Sequence, residues 1–164
     1  MDKQVQELLT LLRDMLAGQQ QLLRLGHARR EAMRIFEISR LDLLTAQEQI
    51  EVQKLAAMDR RRMALVQQFR ALLPRGTEPT VSEIAKRVAE PVKGQLLVLA
   101  AQIRDAAENV SRNARINATV SEGVIKGLAR VLKVVTGFAQ HAGLYMRNGR
   151  KAVPHGIHLL EVTA

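Results

Sequence analysis

Two amides four residues apart, Asn113 and Asn117, are the side chains of this chain best placed for specific chemistry. They fall on an otherwise apolar helical stripe, where an amide can bond across a helix interface and penalise the wrong register. A register-fixing core amide and a functional contact both remain open. The other chemically capable residues form no constellation. His155 and His158 are three apart beside Pro154 and Gly156, with Glu161 the one carboxylate nearby, too thin a donor set for zinc. His27 and His141 lie in helical segments without the HExxH spacing. Ser39, Ser82, Ser111 and Ser121 occupy helical or capping contexts, and neither a Gly-x-Ser-x-Gly elbow nor a phosphate-binding glycine run occurs. With no Cys, thiol nucleophiles and Cys-based metal sites are excluded. The residues therefore point away from an enzyme, and no cofactor or small-molecule substrate is expected.

The elements that position these residues read as helices. The chain has 164 residues, 47% hydrophobic and 25% charged, enough for one domain with its own core. Only Phe36, Phe69, Phe138 and Tyr145 are aromatic, which starves a sheet, whereas Leu, Ala, Gln, Arg and Glu are good helix formers. The opening residues carry charges at Asp2, Lys3, Glu7, Arg13 and Asp14, breaking any signal-peptide-like run. The longest uncharged stretch, Lys133 to Arg147, encloses 13 residues, against about 20 for a bilayer span. A cytoplasmic protein is expected.

Apolar residues at three- and four-residue steps (Val5, Leu8, Leu12, Met15, Leu22, Met33, Phe36) mark one helical face. Ser39 followed by Asp42 reads as an N-cap, so helices are expected over about 2–37 and 39–72, with one continuous helix left open. The second stripe runs through Leu55, Met58, Leu65, Phe69 and Leu72 and stops at the PRGTEPT segment from Pro74. Thr80 and Glu83 form a capping box opening a third helix over about 81–145, with a kink or break near Pro91. The fold expected is all-α: an elongated antiparallel bundle or coiled coil of three main helices spanning 1–145, with a flexible basic tail over 146–164.

At about 1.5 Å per residue the third helix outreaches the other two, leaving roughly residues 120–145 without a partner. This part is also strongly apolar: Val120, Val124, Ile125, Leu128, Val131, Leu132, Val134, Val135 and Phe138 occupy a wide sector, with Lys126, Arg130 and Lys133 opposite; Val120, Val124, Leu128, Val131, Val135 and Phe138 form its helix-accepting stripe. Such a face is expected to dock another helix. Gly123 and Gly127 would allow close approach of a neighbour. The net charge of +9 divides as +3, +1 and +5 over 1–72, 73–113 and 114–164. Basic residues are interspersed with acids and lack aromatic stacking partners, which argues against nucleic acid. The segment 124–138 leaves peripheral contact with an anionic membrane open, and an exposed stripe leaves self-association open.

The run from Gly143, GLYMRNGRKAVPHGIHLLEV, resembles the tail of the FlgN family, the flagellar type III export chaperones for hook-associated proteins. Leu144 and Tyr145, then Asn148 and Gly149, then His155 and Gly156 carry the resemblance. Two opening helices rich in Leu and Gln, the run DRRRMALVQQF and the Asn113/Asn117 turn extend it upstream. The pI near 10.8 and the four-residue amide spacing depart from the usual family pattern. The resemblance implies a non-enzymatic cytoplasmic chaperone that holds the C-terminal helices of hook-associated proteins, prevents their premature self-association and delivers them to the export gate. It also implies that Tyr145, with Asn148 and Gly149, contacts an export-gate component. A basic coiled-coil rod protein of the export apparatus shares the Arg and Gln richness but lacks the Leu-Tyr-x-x-Asn-Gly tail. A helical nucleic-acid or membrane-surface binder is the alternative from another class.

Overall fold

A computed structural model describes residues 2–142, except for the side chains of Leu72 and of residues 137–142. The elements are α1 (Asp2–Arg34), α2 (Ile38–Gln68), a 3₁₀ turn (Arg70–Leu72), α3 (Val81–Ala85) and α4 (Val92–Ala142), with no strand among the described residues. The all-α expectation holds. The chain divides into two compact units, residues 1–121 and residues 122–164.

In the first unit α1 is the central element. Leu8, Leu9, Leu11 and Leu12 are all buried, so neighbours cover this helix on more than one side. Residues Arg61 and Leu55 of α2 meet Glu7 and Gly18 of α1, which makes the two helices antiparallel. Gln95 and Asn117 of α4 meet Arg13 and Arg30 of α1, which makes those two parallel. Leu65, Val66 and Phe69 from the end of α2, Val81 and Ile84 from α3, and Leu96 and Leu99 from α4 close the main core around the first half of α1. Ile84 and Leu96 are almost wholly removed from water, a burial worth about 1.5–3 kcal/mol for each such side chain. A smaller cluster of Leu25, Ala32 and Leu44 holds the other end of the α1–α2 pair.

The break between the opening helices is present, but Ser39 does not make it. Residue Phe36 adopts φ of 55°, Glu37 N–H donates to Ala32 carbonyl oxygen at 3.0 Å, and Phe36 N–H donates to that of Met33 at 3.4 Å. These bonds form a left-handed helix end of the kind usually built on glycine. Glu37 is the N-cap of α2 without a side-chain cap bond, and Ser39 lies inside the helix. Phe36, expected on the apolar stripe, is 56% exposed. A left-handed non-glycine residue costs about 1–2 kcal/mol, and an exposed ring recovers little of it. Phe36→Gly is therefore expected to stabilise the fold by about 1 kcal/mol, read as a higher urea midpoint.

The second helix stops at Gln68 rather than 72, its last residues tightening into the 3₁₀ turn. Thr77 N–H then bonds Pro74 carbonyl oxygen at 3.1 Å around Gly76, whose φ of 84° suits glycine. The Thr80 cap forms as its spacing predicts, Oγ1 accepting from Glu83 N–H at 3.1 Å. Near Pro91 the chain breaks rather than kinks, giving a five-residue α3 before α4. Glu90 caps α4, its Oε2 accepting from Gly94 N–H at 3.1 Å.

In the second unit, the described residues 122–142 are helical throughout. Its one ion pair among the described residues, Lys126 to Glu122 at 3.8 Å, is solvent-exposed and of small energetic weight.

Candidate functional site

Two features stand out, one in each unit. The first lies between α1 and α4, where helical spacing puts Asn113 and Asn117 on the buried face one turn apart, at 6% and 2% exposure. Asn117 Nδ2 donates to Gly26 carbonyl oxygen at 2.7 Å, and Asn113 Nδ2 donates to that of Leu23 at 3.3 Å. Arg30 Nε donates to Asn117 Oδ1 at 2.9 Å, while its Nη2 donates to Asn113 Oδ1. One guanidinium thus binds both amide oxygens, and both amide nitrogens reach backbone carbonyls that have a second lone pair to offer. Gly26 makes this possible, since a Cβ there would run into the Asn113 amide. Every polar atom of the two amides is engaged within the chain, so the geometry favours the register-fixing reading over an outward functional contact. Arg30 and Gly26 carried no sequence signal. They lie more than 80 residues from their partners, inside a basic stretch that reads as a solvated helix surface.

Nearby, Arg29 of α1 and Glu48 of α2 form an ion pair at 3.2 Å. Burial raises the Glu48 carboxyl above its usual value, with the Arg29 guanidinium pulling the other way. A carboxyl raised in the folded state holds its proton more tightly folded than unfolded. Its contribution is present below the unfolded value and is lost as pH rises through the folded one. Replacing it by Glu48→Gln is expected to flatten the decline of stability from about pH 4 upward, measured as urea midpoint against pH.

The second feature is the apolar face of the second unit. Leu128, Val131 and Val135 are 51%, 61% and 58% exposed. Val124 is half-buried, as is Val120 in the first unit. Phe138 lies on α4, its side chain outside the described residues; Tyr145, Asn148, Gly149 and the 146–164 segment are outside them altogether. Ile125, Leu132 and Val134, which share the wide apolar sector, are exposed beside Leu128, Val131 and Val135. At Gly123 and Gly127 a Cβ would have open space within 4 Å, so the close neighbour expected for them is not supplied by the described residues.

Among the described residues no cluster of His, Asp and Glu could hold a metal ion, and no helix is long and apolar enough to cross a membrane. A cleft of about 370 Å³ combines Asp2, Gln6, Arg87 and Glu90 with valines and an alanine.

Neither the curated proteins nor the solved structures contain a match to this chain. The family described as FlgN protein matches residues 1–152, from the start of α1 through the whole of α4. On a match of that extent the chain belongs to the FlgN family, the non-enzymatic export chaperones of flagellum assembly.

Proposed function

We propose that this chaperone captures the C-terminal helical segment of hook-associated flagellar proteins on the apolar face of residues 122–136, keeps them from self-associating in the cytoplasm and passes them to the export gate. In this reading residues 1–145 are the chaperone domain and 146–164 a basic tail. The observation that carries it is a helix with Leu128, Val131 and Val135 each more than half exposed. An amphipathic client helix laid on that face exchanges its own solvated apolar stripe for protein contact. Burying several such side chains yields on the order of 10 kcal/mol gross. Lost translational freedom and side-chain ordering remove much of it, which suits capture followed by release.

Calorimetric titration of the full chain with the C-terminal segment of a hook-associated protein from the same genome tests the reading. Binding with a negative heat-capacity change and little salt dependence is expected. A steep loss with salt would indicate phosphate or headgroup binding instead. The tail supplies a second arm. Tyr145, with Asn148 and Gly149, is assigned to export-gate contact, so Tyr145→Ala should leave the titration unchanged within about twofold and lower the amount of hook-associated protein exported. Equal loss of both activities contradicts that division.

A further inference from the structure

Apolar packing on α4 stops well before the first unit ends. Leu96 and Leu99 are buried in the main core, with Val92, Ala100 and Ile103 packed against it, and no α4 residue beyond Ile103 joins either apolar cluster of the described residues. Between Arg104 and Ser121 the buried side chains are Asn113 and Asn117, while Val110 and Val120 are half-buried and Ile116 is exposed. Arg104, Asp105, Glu108, Arg112 and Arg115 all face solvent. The ion pairs that cross between helices, Arg29 to Glu48 and Arg61 to Glu7, both join α1 to α2.

The amide clasp fastens this stretch instead. Its side-chain hydrogen bonds to α1 all run through Asn113 and Asn117: the amide oxygens accept from Arg30, and the amide nitrogens donate to the Leu23 and Gly26 carbonyl oxygens. Every group in the clasp is polar, so water can replace each partner, and the net worth of each bond is far below its gross strength. Pulling Leu96 out of the main core exposes apolar surface with no such compensation. One guanidinium spans both amides, so release of one loosens the hold on the other and the two part together. The α1–α2 pair does not depend on the clasp, since Leu25, Ala32 and Leu44, with Ala28 and Leu41 against them, close its far end without α4.

We propose that α4 is fastened to α1 in two stages: an apolar anchor that ends at Ile103, and a releasable polar clasp at Asn113 and Asn117. The clasp opens as one step and frees residues 104–121 while the anchor, α3 and the α1–α2 pair stay folded. Opening uncovers Arg30 and the Leu23 and Gly26 carbonyl oxygens on α1 and both amides on α4, groups that water satisfies on either side. The stretch is thus a strap, held by groups that exchange partners rather than by buried apolar surface.

Native-state hydrogen exchange of the full chain in rising urea, read residue by residue along α4, tests the clasp. The amides of residues 108–121 should exchange through one shared opening, more readily than those of residues 96–103 and with a weaker urea dependence, because less surface is exposed. Arg30→Ala is expected to speed exchange of 108–121 by about tenfold or more and to leave 96–103 within about twofold. Arg30→Lys keeps the charge but lacks the fork that reaches both amides, so it should act in the same direction. One common opening free energy and urea dependence for both stretches would overturn the proposal, because the fold would then open only as a whole. Equal acceleration of both stretches by Arg30→Ala, or of neither, would overturn it too. Exchange that quickens steadily from Val110 to Ser121 without a shared step would replace the clasp by fraying and overturn it as well.

Discussion

Leu128→Asp is expected to weaken binding of a hook-associated C-terminal segment by at least about 100-fold, close to 3 kcal/mol, while leaving thermal unfolding nearly unchanged. The two halves of that expectation have separate causes. In the free protein Leu128 is 51% exposed, so its replacement creates no cavity and costs only the difference in helix propensity, about 0.5 kcal/mol. In the complex the same position lies in the middle of the apolar face, where a carboxylate must be neutralised or stripped of water without a partner. That penalty amounts to several kcal/mol. Leu128→Ala should show a milder loss, about 1–2 kcal/mol, because it removes buried area without adding charge. Titration and circular dichroism on the same samples separate binding from folding.

The second large effect concerns stability. Asn117→Ala is expected to destabilise the chain by about 2–3 kcal/mol, since it deletes two hydrogen bonds at a buried position and leaves part of the Arg30 guanidinium, and the second lone pair of the Gly26 carbonyl oxygen, without partners. For a chain of this length the thermal midpoint should fall by roughly 4–12 °C. Gly26→Ala provides the sharper check, because local and tertiary effects have opposite signs there. Alanine is the better helix former by about 1 kcal/mol, yet its Cβ would collide with the Asn113 amide, an overpacking cost of about 1–3 kcal/mol. A net loss of stability is expected. A gain would mean that α1 and α4 do not approach each other at Gly26. A double-mutant cycle on Arg30→Ala and Asn117→Ala should return a coupling of about 0.5–3 kcal/mol.

Sequence and structure agree most closely where one short stretch of chain contains both partners of an interaction. Thr80 and Glu83 are three apart, and the cap between them is present; Pro74 to Thr77 carries its own turn chemistry. Ser39 illustrates the opposite case. A serine before an apolar run is a sound local capping signal, but the break is made a few residues earlier by Phe36 in a left-handed conformation that its side chain does nothing to announce. Packing of Ala32, Leu25 and Leu44 sets where α1 must turn, and local propensity gives way to it.

The Asn113/Asn117 pair was legible as polar residues on an apolar stripe, whereas its binding partners were not. Arg30 belongs to a run of charges that reads as solvated surface until the fold brings it beside α4. The exposed face of the second unit is legible for a simpler reason: one helix contains all of it, and periodicity alone identifies it. Its width is legible for the same reason, since Ile125, Leu132 and Val134 fall in one sector with Val120, Val124, Leu128, Val131, Val135 and Phe138 on helical spacing alone.

Amide hydrogen exchange over residues 122–136, with and without the C-terminal segment of a hook-associated protein, tests the central claim most directly. A helix whose apolar side chains face water has little tertiary packing to hold it closed, so its amides should exchange by frequent local opening. The account predicts fast exchange in the free chain and strong slowing when the segment binds, with the core amides around Leu8 and Leu96 unchanged. Slow exchange of residues 122–136 in the free chain, or exchange that the bound segment leaves untouched, would contradict it.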